Sequence, residues 1–180
     1  APAARRAPGG AGGRAGAGAP VRGGVGAAPA GTLPFRVGAE AAGAAGAETI
    51  LSVMGGRIVH CGESGAGQAA KICNNLILGI SMIAVCEAFV LAEKLGLSHQ
   101  ALFDVASTSS GQCWSLTNYC PVPGLLPASP ANRAYKPGFA ASLMLKDLKL
   151  AEAAADASGA ATALGRHAAS LYEAFAAAGH

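Results

Sequence analysis

The sequence predicts a mostly α protein: an all-helical region with a long buried helix, preceded by a short α/β segment. Three observations predict it. Residues 66–95 carry a near-continuous helical pattern without proline. Two more Ala-rich amphipathic segments, 139–157 and 161–178, follow it. Ahead of it, two short strand-like runs flank one Ala-rich helical stretch. Composition agrees. One hundred and eighty residues give room for about one domain. The chain is 52% hydrophobic and 13% charged, so it can bury a sizeable core; at 5% aromatic, that core is aliphatic.

Residues 1–18, APAARRAPGGAGGRAGAG, are low complexity and are expected to be disordered, since they have little apolar area to bury. Their match to GxGxxA, Gly10 to Ala15, is expected by chance in so Gly-rich a stretch. In 19–63, Thr32–Val37 reads as a strand that Pro34 confines to an edge. Residues 39–53 read as a helix stopped at Met54-Gly55-Gly56, and Arg57–Cys61 as a second strand ending at Gly62. So few strands make a poor independent sheet, and the segment reads as the tail of something larger.

From Ser64 onward, residues 64–180, the reading is helical. Leu76–Cys86 is apolar nearly all round, which predicts burial on most sides. Gly96 ends that helix, and Ser98 caps the next, 99–107. Residues 108–138 read as a long loop with one helical turn. Leu143, Leu145, Leu148 and Leu150 give 139–157 its apolar side; Leu164, Leu171, Tyr172 and Phe175 give 161–178 its stripe, with Ser158-Gly159 between the two helices.

Several functions are disfavoured. The net charge is +3, and the first 39 residues hold five Arg and no acid. Those Arg are scattered among Gly and Ala without interleaved aromatics, so no nucleic-acid partner is expected. Five Cys form no CxxC pair and no zinc spacing with His, which predicts no metal site and free thiols in a reducing compartment. The apolar run is shorter than the about 20 residues a bilayer requires, so no membrane partner is expected. No GxSxG elbow supports nucleophilic hydrolysis.

The most informative stretch is Gly62-Glu-Ser-Gly65-Ala-Gly67-Gln-Ala-Ala-Lys71-Ile-Cys-Asn74-Asn75, a Gly-rich turn leading into a helix. Lys71 and Asn75 stand four apart on one face. The field of a helix start, with burial, disfavours a protonated Lys, and a Lys so placed can exchange protons. Asn75 can hold a substrate hydroxyl or carboxylate without adding charge. The bland alternative is a solvated Lys on an ordinary helix start. Lys146-Asp147 is a second candidate, either a solvated strip or a reach toward phosphate or ribose. Ser109–Trp114 is a third, either a loop with one buried aromatic or the wall of a pocket.

At these residues the sequence resembles the β-hydroxyacid dehydrogenase family, and within it the 3-hydroxyisobutyrate branch. Gly65–Asn75 is similar to the family's catalytic helix motif. Ser109–Trp114, the Pro121-Val-Pro-Gly124 turn and Gly138-Phe139 through Lys146-Asp147-Leu148 resemble that branch, and Ala19–Gly24 resembles the substrate-binding strand and turn. The resemblance implies an NAD-dependent enzyme with a Rossmann cofactor domain, of which 19–63 is a remnant, and an all-α C-terminal domain over 64–180. It implies Lys71 as acid/base, Asn75 and Trp114 at the substrate, Gly23 and Gly24 donating backbone N–H to its carboxylate, and Lys146 at the cofactor. The reaction implied is oxidation of 3-hydroxyisobutyrate to methylmalonate semialdehyde, in the cytoplasm of a bacterium or the mitochondrial matrix of a eukaryote. A homo-oligomer is expected. The first Rossmann units are not in this sequence, so the chain by itself is expected to be inactive. Arg22 also stands where the family has Ser. The competing readings are a non-catalytic helical oligomerisation module and a sister enzyme on another 3-hydroxy acid, such as a tartronate semialdehyde reductase.

Overall fold

The structure, a computed structural model, describes residues 18–20, 34–53, 55–136 and 138–179. The low-complexity segment before Gly18 and the Arg22-Gly23-Gly24 turn lie outside the described residues. The described chain is mostly helical and divides into two compact units. One reaches to Asn74 and includes Ala153–Ala160; the other comprises Asn75–Glu152 and Ala161–His180.

In the first unit, β1 (Pro34–Gly38), α1 (Ala41–Leu51) and β2 (Arg57–Gly62) form a β–α–β unit. The strands pair in parallel, Phe35 opposite Ile58 and Val37 opposite His60. Pro34 takes the first position of its strand, where its missing N–H costs no ladder bond. Phe35, Val37 and Ala39 are buried, with Ala47, Leu51 and Ile58 packed against them. The long helix α2 (Ala66–Lys94) starts hard against β1. A Cβ at Gly67 would collide with the Arg36 carbonyl oxygen and lie 3.1 Å from the Gly38 nitrogen. Backbone cannot yield as a side chain can, so only glycine fits there.

In the second unit α2 continues and is joined by α3 (His99–Ser107), α4 (Trp114–Thr117), α5 (Ala141–Ser158) as far as Glu152, and α6 (Ala163–Ala177). The ends follow the sequence signals. Gly96 turns left-handed at φ +78, and the Leu97 N–H bonds back to the Ala92 carbonyl. Ser98 accepts the Ala101 N–H as the cap of α3. Residues 108–138 hold two helical turns rather than one: α4, and a 3-10 turn over Pro130–Arg133. Polar side chains organise that loop. Ser129 donates to the Cys120 carbonyl, while Asn132 accepts from the Gly124 N–H and donates to the Leu126 carbonyl.

Two cores lie along α2. Val85, Phe89, Leu116 and Cys120 form one, with Leu102 and Phe103 of α3 against it. Met144 and Leu148 of α5 with Ala168 and Ala169 of α6 form the other, against Leu76, Leu78, Ile80 and Ile83 of α2. This corrects the expected stripes. Leu143 and Leu150 are exposed on α5, as are Leu164, Leu171 and Phe175 on α6. The buried α5 stripe is Met144, Leu148, Ala151 and Ala155, at helical spacing. On α6 it is Gly165, Ala168 and Ala169. Within Leu76–Cys86, Ile77, Ala84 and Cys86 are exposed and the remaining residues are buried or half-buried. By length and composition alone α2 is apolar enough to cross a bilayer, more than the Leu76–Cys86 run suggested, yet its inner side packs on α5 and α6 as a core helix does.

Tyr172 packs against the second core, and burial, then the nearby Cys86, push its phenol from 10 up to about 12. Burial likewise raises the thiols of Cys86 and Cys120. A phenol that ionises later in the folded chain than in the unfolded one stabilises fully below about pH 10, and that stability is lost as pH rises through about 12. Melting temperature is therefore expected to fall over this alkaline range, and Tyr172→Phe to flatten the fall. An unaltered slope in the variant would place the alkaline sensitivity elsewhere.

Candidate active site

The residues singled out in the sequence fall on α2, α4 and α5. The turn into α2 uses left-handed glycines, Gly62 at φ +121 and Gly65 at φ +95. Lys71 follows in the second turn of the helix and is half-buried. Asn75, one turn on, is buried at 9% exposure. Its amide nitrogen donates to Oδ2 of Asp147 at 2.6 Å. An ionised carboxylate only accepts, so this contact orients the amide: nitrogen toward Asp147, oxygen away.

Asp147 is itself buried at 6% exposure, and its other oxygen, Oδ1, lies 3.0 Å from Nζ of Lys146. One carboxylate therefore brings Asn75 and Lys146 together. Lys146 is exposed and lines a shallow groove of about 400 Å³ with Ser142, Leu145, Lys149 and Leu150. Lys149 is held by Glu173 of α6 at 2.6 Å. Asp147 is the residue sequence reasoning left without a role of its own. The signal was available: it sits beside Leu148 and three residues after Met144, so an acid occupies the edge of a buried stripe.

Trp114 opens α4 and stacks on Tyr119, ring centres 5.2 Å apart and planes at 21°. It is 40% exposed, not the buried aromatic of the bland reading. Ser115 beside it is fully buried and hydrogen-bonded to Ser81 of α2 at 2.9 Å, which ties this short helix to the long one. Gly23 and Gly24, expected at the substrate carboxylate, lie outside the described residues. Among the described residues, no three His, Cys, Asp or Glu side chains converge as metal ligands, and the five cysteines are free thiols.

Gly138 lies against the Tyr119 end of the Trp114–Tyr119 stack. A Cβ at residue 138 would lie 2.9 Å from the Tyr119 hydroxyl. Trp114 is the chain's single tryptophan, so the chain's indole fluorescence comes from this ring. Gly138→Ala is expected to push Tyr119 off the indole and shift emission to the red. Adding Tyr119→Phe, which removes the crowded hydroxyl, is expected to restore it. An unchanged spectrum in Gly138→Ala would mean that the ring yields without leaving the stack.

With this geometry in place, comparison with known proteins is informative. Residues 65–180, more than half of the chain, match the family model described as NAD-binding of NADP-dependent 3-hydroxyisobutyrate dehydrogenase. A probable 3-hydroxyisobutyrate dehydrogenase of Mycobacterium tuberculosis is 55% identical over 159 residues, which are 88% of this chain and 54% of that protein. The mitochondrial 3-hydroxyisobutyrate dehydrogenase of Bos taurus is 46% identical over 162 residues, 90% of this chain and 48% of that one. The solved structure of the M. tuberculosis 3-hydroxyisobutyrate dehydrogenase with L-serine superposes with a TM-score of 0.87 at 55% identity, over 89% of this chain and 55% of that one. The chain spans about half the length of the curated relatives it matches. By its family match over the helical region, the chain belongs to the 3-hydroxyisobutyrate dehydrogenase family.

Proposed function

We propose that the chain is the catalytic-side portion of an NAD-dependent dehydrogenase that oxidises 3-hydroxyisobutyrate to methylmalonate semialdehyde, a step of valine breakdown. The observation that carries this reading is the junction at Asp147: within a chain of this family, the expected substrate residue and the expected cofactor residue meet on one carboxylate. Segment 19–63 is read as a remnant of the cofactor domain, in keeping with its parallel β–α–β unit, and 64–180 as the helical domain.

The residues around Lys146 leave room for a dinucleotide: Lys146 and Lys149 line an open groove, where an anionic group would share each ammonium with the carboxylate already on it, Asp147 and Glu173. When bound, the nicotinamide supplies the acceptor for a hydride. The remaining work falls to the chain. Lys71 takes up the hydroxyl proton on Nζ as the carbon bearing that hydroxyl gives up its hydride. Asn75 orients the substrate with its fixed amide, and Trp114 walls the pocket. Gly23 and Gly24 donate backbone N–H to the carboxylate. The compartment is the cytoplasm if the source is bacterial and the mitochondrial matrix if it is eukaryotic. The Trp114 loop is where a sister enzyme on another 3-hydroxy acid would differ.

A second reading, oligomerisation through the helical region, is favoured by exposed Ile77, Val90 and Leu91 on α2 and Leu164, Leu171 and Phe175 on α6. As a non-catalytic module this reading competes with the dehydrogenase one; self-association by itself accompanies either. The 180-residue chain is expected to sediment as a dimer or larger, and Leu171→Glu with Phe175→Glu to shift it toward monomer. A monodisperse monomer at high concentration would remove this reading.

For catalysis, the chain is joined to the N-terminal portion of the M. tuberculosis relative that it does not match. In that fused enzyme Lys71→Ala is expected to cost about 10²–10⁴-fold in kcat, the usual worth of general acid–base catalysis, with NAD affinity nearly unchanged. Near-normal turnover of the variant between about pH 7 and 10 would defeat the proton-transfer role.

A further inference from the structure

We propose that Asp147 is the positioning residue of this site, setting the amide of Asn75 with Oδ2 while holding the ammonium of Lys146 with Oδ1. The proposal rests on the dehydrogenase reading above for the roles of Asn75 and Lys146, but the positioning itself is geometric. The Asn75 amide has two orientations related by a half-turn. Facing a carboxylate oxygen at 2.6 Å, the nitrogen makes a charge-assisted hydrogen bond, whereas the oxygen would meet another oxygen. Only one orientation survives, so substrate meets a preset pattern of donor and acceptor. Lys146 supplies the counter-charge that a buried carboxylate requires, at 3.0 Å.

A purely structural pair, there to tie α2 to α5, is the alternative. The tie does not depend on it. Leu148 of α5 fills the notch at Gly79 of α2, one turn along from Asn75, and the two helices already share an apolar core. Asp147 adds direction rather than adhesion. It also gives Lys146 an effect beyond the cofactor: neutralising that lysine leaves the carboxylate that holds Asn75 without its cation.

The discriminating variant is Asp147→Asn. An amide at 147 can still hydrogen-bond Asn75 through either its oxygen or its nitrogen, so the contact persists while the preference of residue 147 for the Asn75 nitrogen is lost. Two measurements decide. In the 15N-labelled 180-residue chain, the Asn75 side-chain NH2 resonances are expected to move in Asp147→Asn with little change in melting temperature. In the fused enzyme, KM for 3-hydroxyisobutyrate is expected to rise about tenfold while kcat changes by less than about threefold, since Lys71 is untouched. Asn75 resonances that stay in place, or a wild-type KM in the variant, overturn the proposal. Should Asp147→Asn fail to fold, the unaltered chain still decides: in the 13C,15N-labelled chain a coupling through the hydrogen bond, from the Asn75 side-chain nitrogen to the Asp147 carboxylate carbon, is expected. Its absence overturns the proposal. A fused wild-type enzyme with no turnover defeats the dehydrogenase reading instead, and leaves the resonance test of Asp147 standing.

Discussion

Leu148 enters the long helix at Gly79, and the rest of the second unit is arranged around that contact. A Cβ at Gly79 would come within 2.9 Å of one Leu148 methyl and 3.2 Å of the other. Leu148 itself is fully buried. The same device recurs between α2 and α6, where a Cβ at Gly165 would lie 2.7 Å from a Leu76 methyl. Interiors pack to near-crystalline density, so a leucine seated in a glycine notch fixes both the separation and the register of its helices. Asn75 lies one turn before Gly79 on the same side of α2, and Asp147 immediately precedes Leu148. Two of the shorter polar side chains can therefore meet at 2.6 Å because the backbones behind them are brought close.

This explains why helix positions were legible in the sequence and helix faces were not. The ends of α2 and α3 follow local signals, a Gly-rich turn, a left-handed glycine and a serine cap, and these act on the backbone whatever packs outside. The faces are set by what the helices pack against. Leucines were read as the core side of α5 and α6, yet the interface is lined by Gly and Ala with Met144 and Leu148, and Leu143, Leu150, Leu164 and Leu171 face outward. In an Ala-rich chain the small residues permit close approach and so mark the seam, while the large ones beyond it are left to other surfaces. The order within 108–138 was hidden for a different reason. Asn132 and Ser129 hold it by bonds to backbone groups six to nine residues away, and no local pattern announces them.

The candidate site was legible to the extent that its residues lie in local motifs. Gly67 was visible as part of a Gly-rich helix start, and the structure supplies its reason: the first turn of α2 lies against the backbone of β1. Lys71 and Asn75 were visible from spacing on one helix. Asp147 was not assigned because its partner is 72 residues away, and pairing across such a distance appears only once the helices are registered. Its acid character, taken alone, suggested a solvated strip. Burial reverses that reading, since a buried carboxylate persists only where hydrogen bonds and a counter-charge compensate it.

Three consecutive residues of α5 show how tightly packing and chemistry are joined here. Successive helical residues are rotated by about 100°. Lys146 therefore faces the groove, Asp147 faces Asn75, and Leu148 faces the notch at Gly79. A rotation of α5 that improved any one contact would spoil the other two. The leucine contact, being the most confined sterically, sets the rotation, and the two polar residues inherit their aim from it. Precision at the site thus comes from rigid helical packing rather than from a loop, the arrangement expected where a side chain must be held in one orientation. Volume changes at Gly79 or Leu148 then belong to the same problem as charge changes at Asp147, because each alters where the amide of Asn75 points.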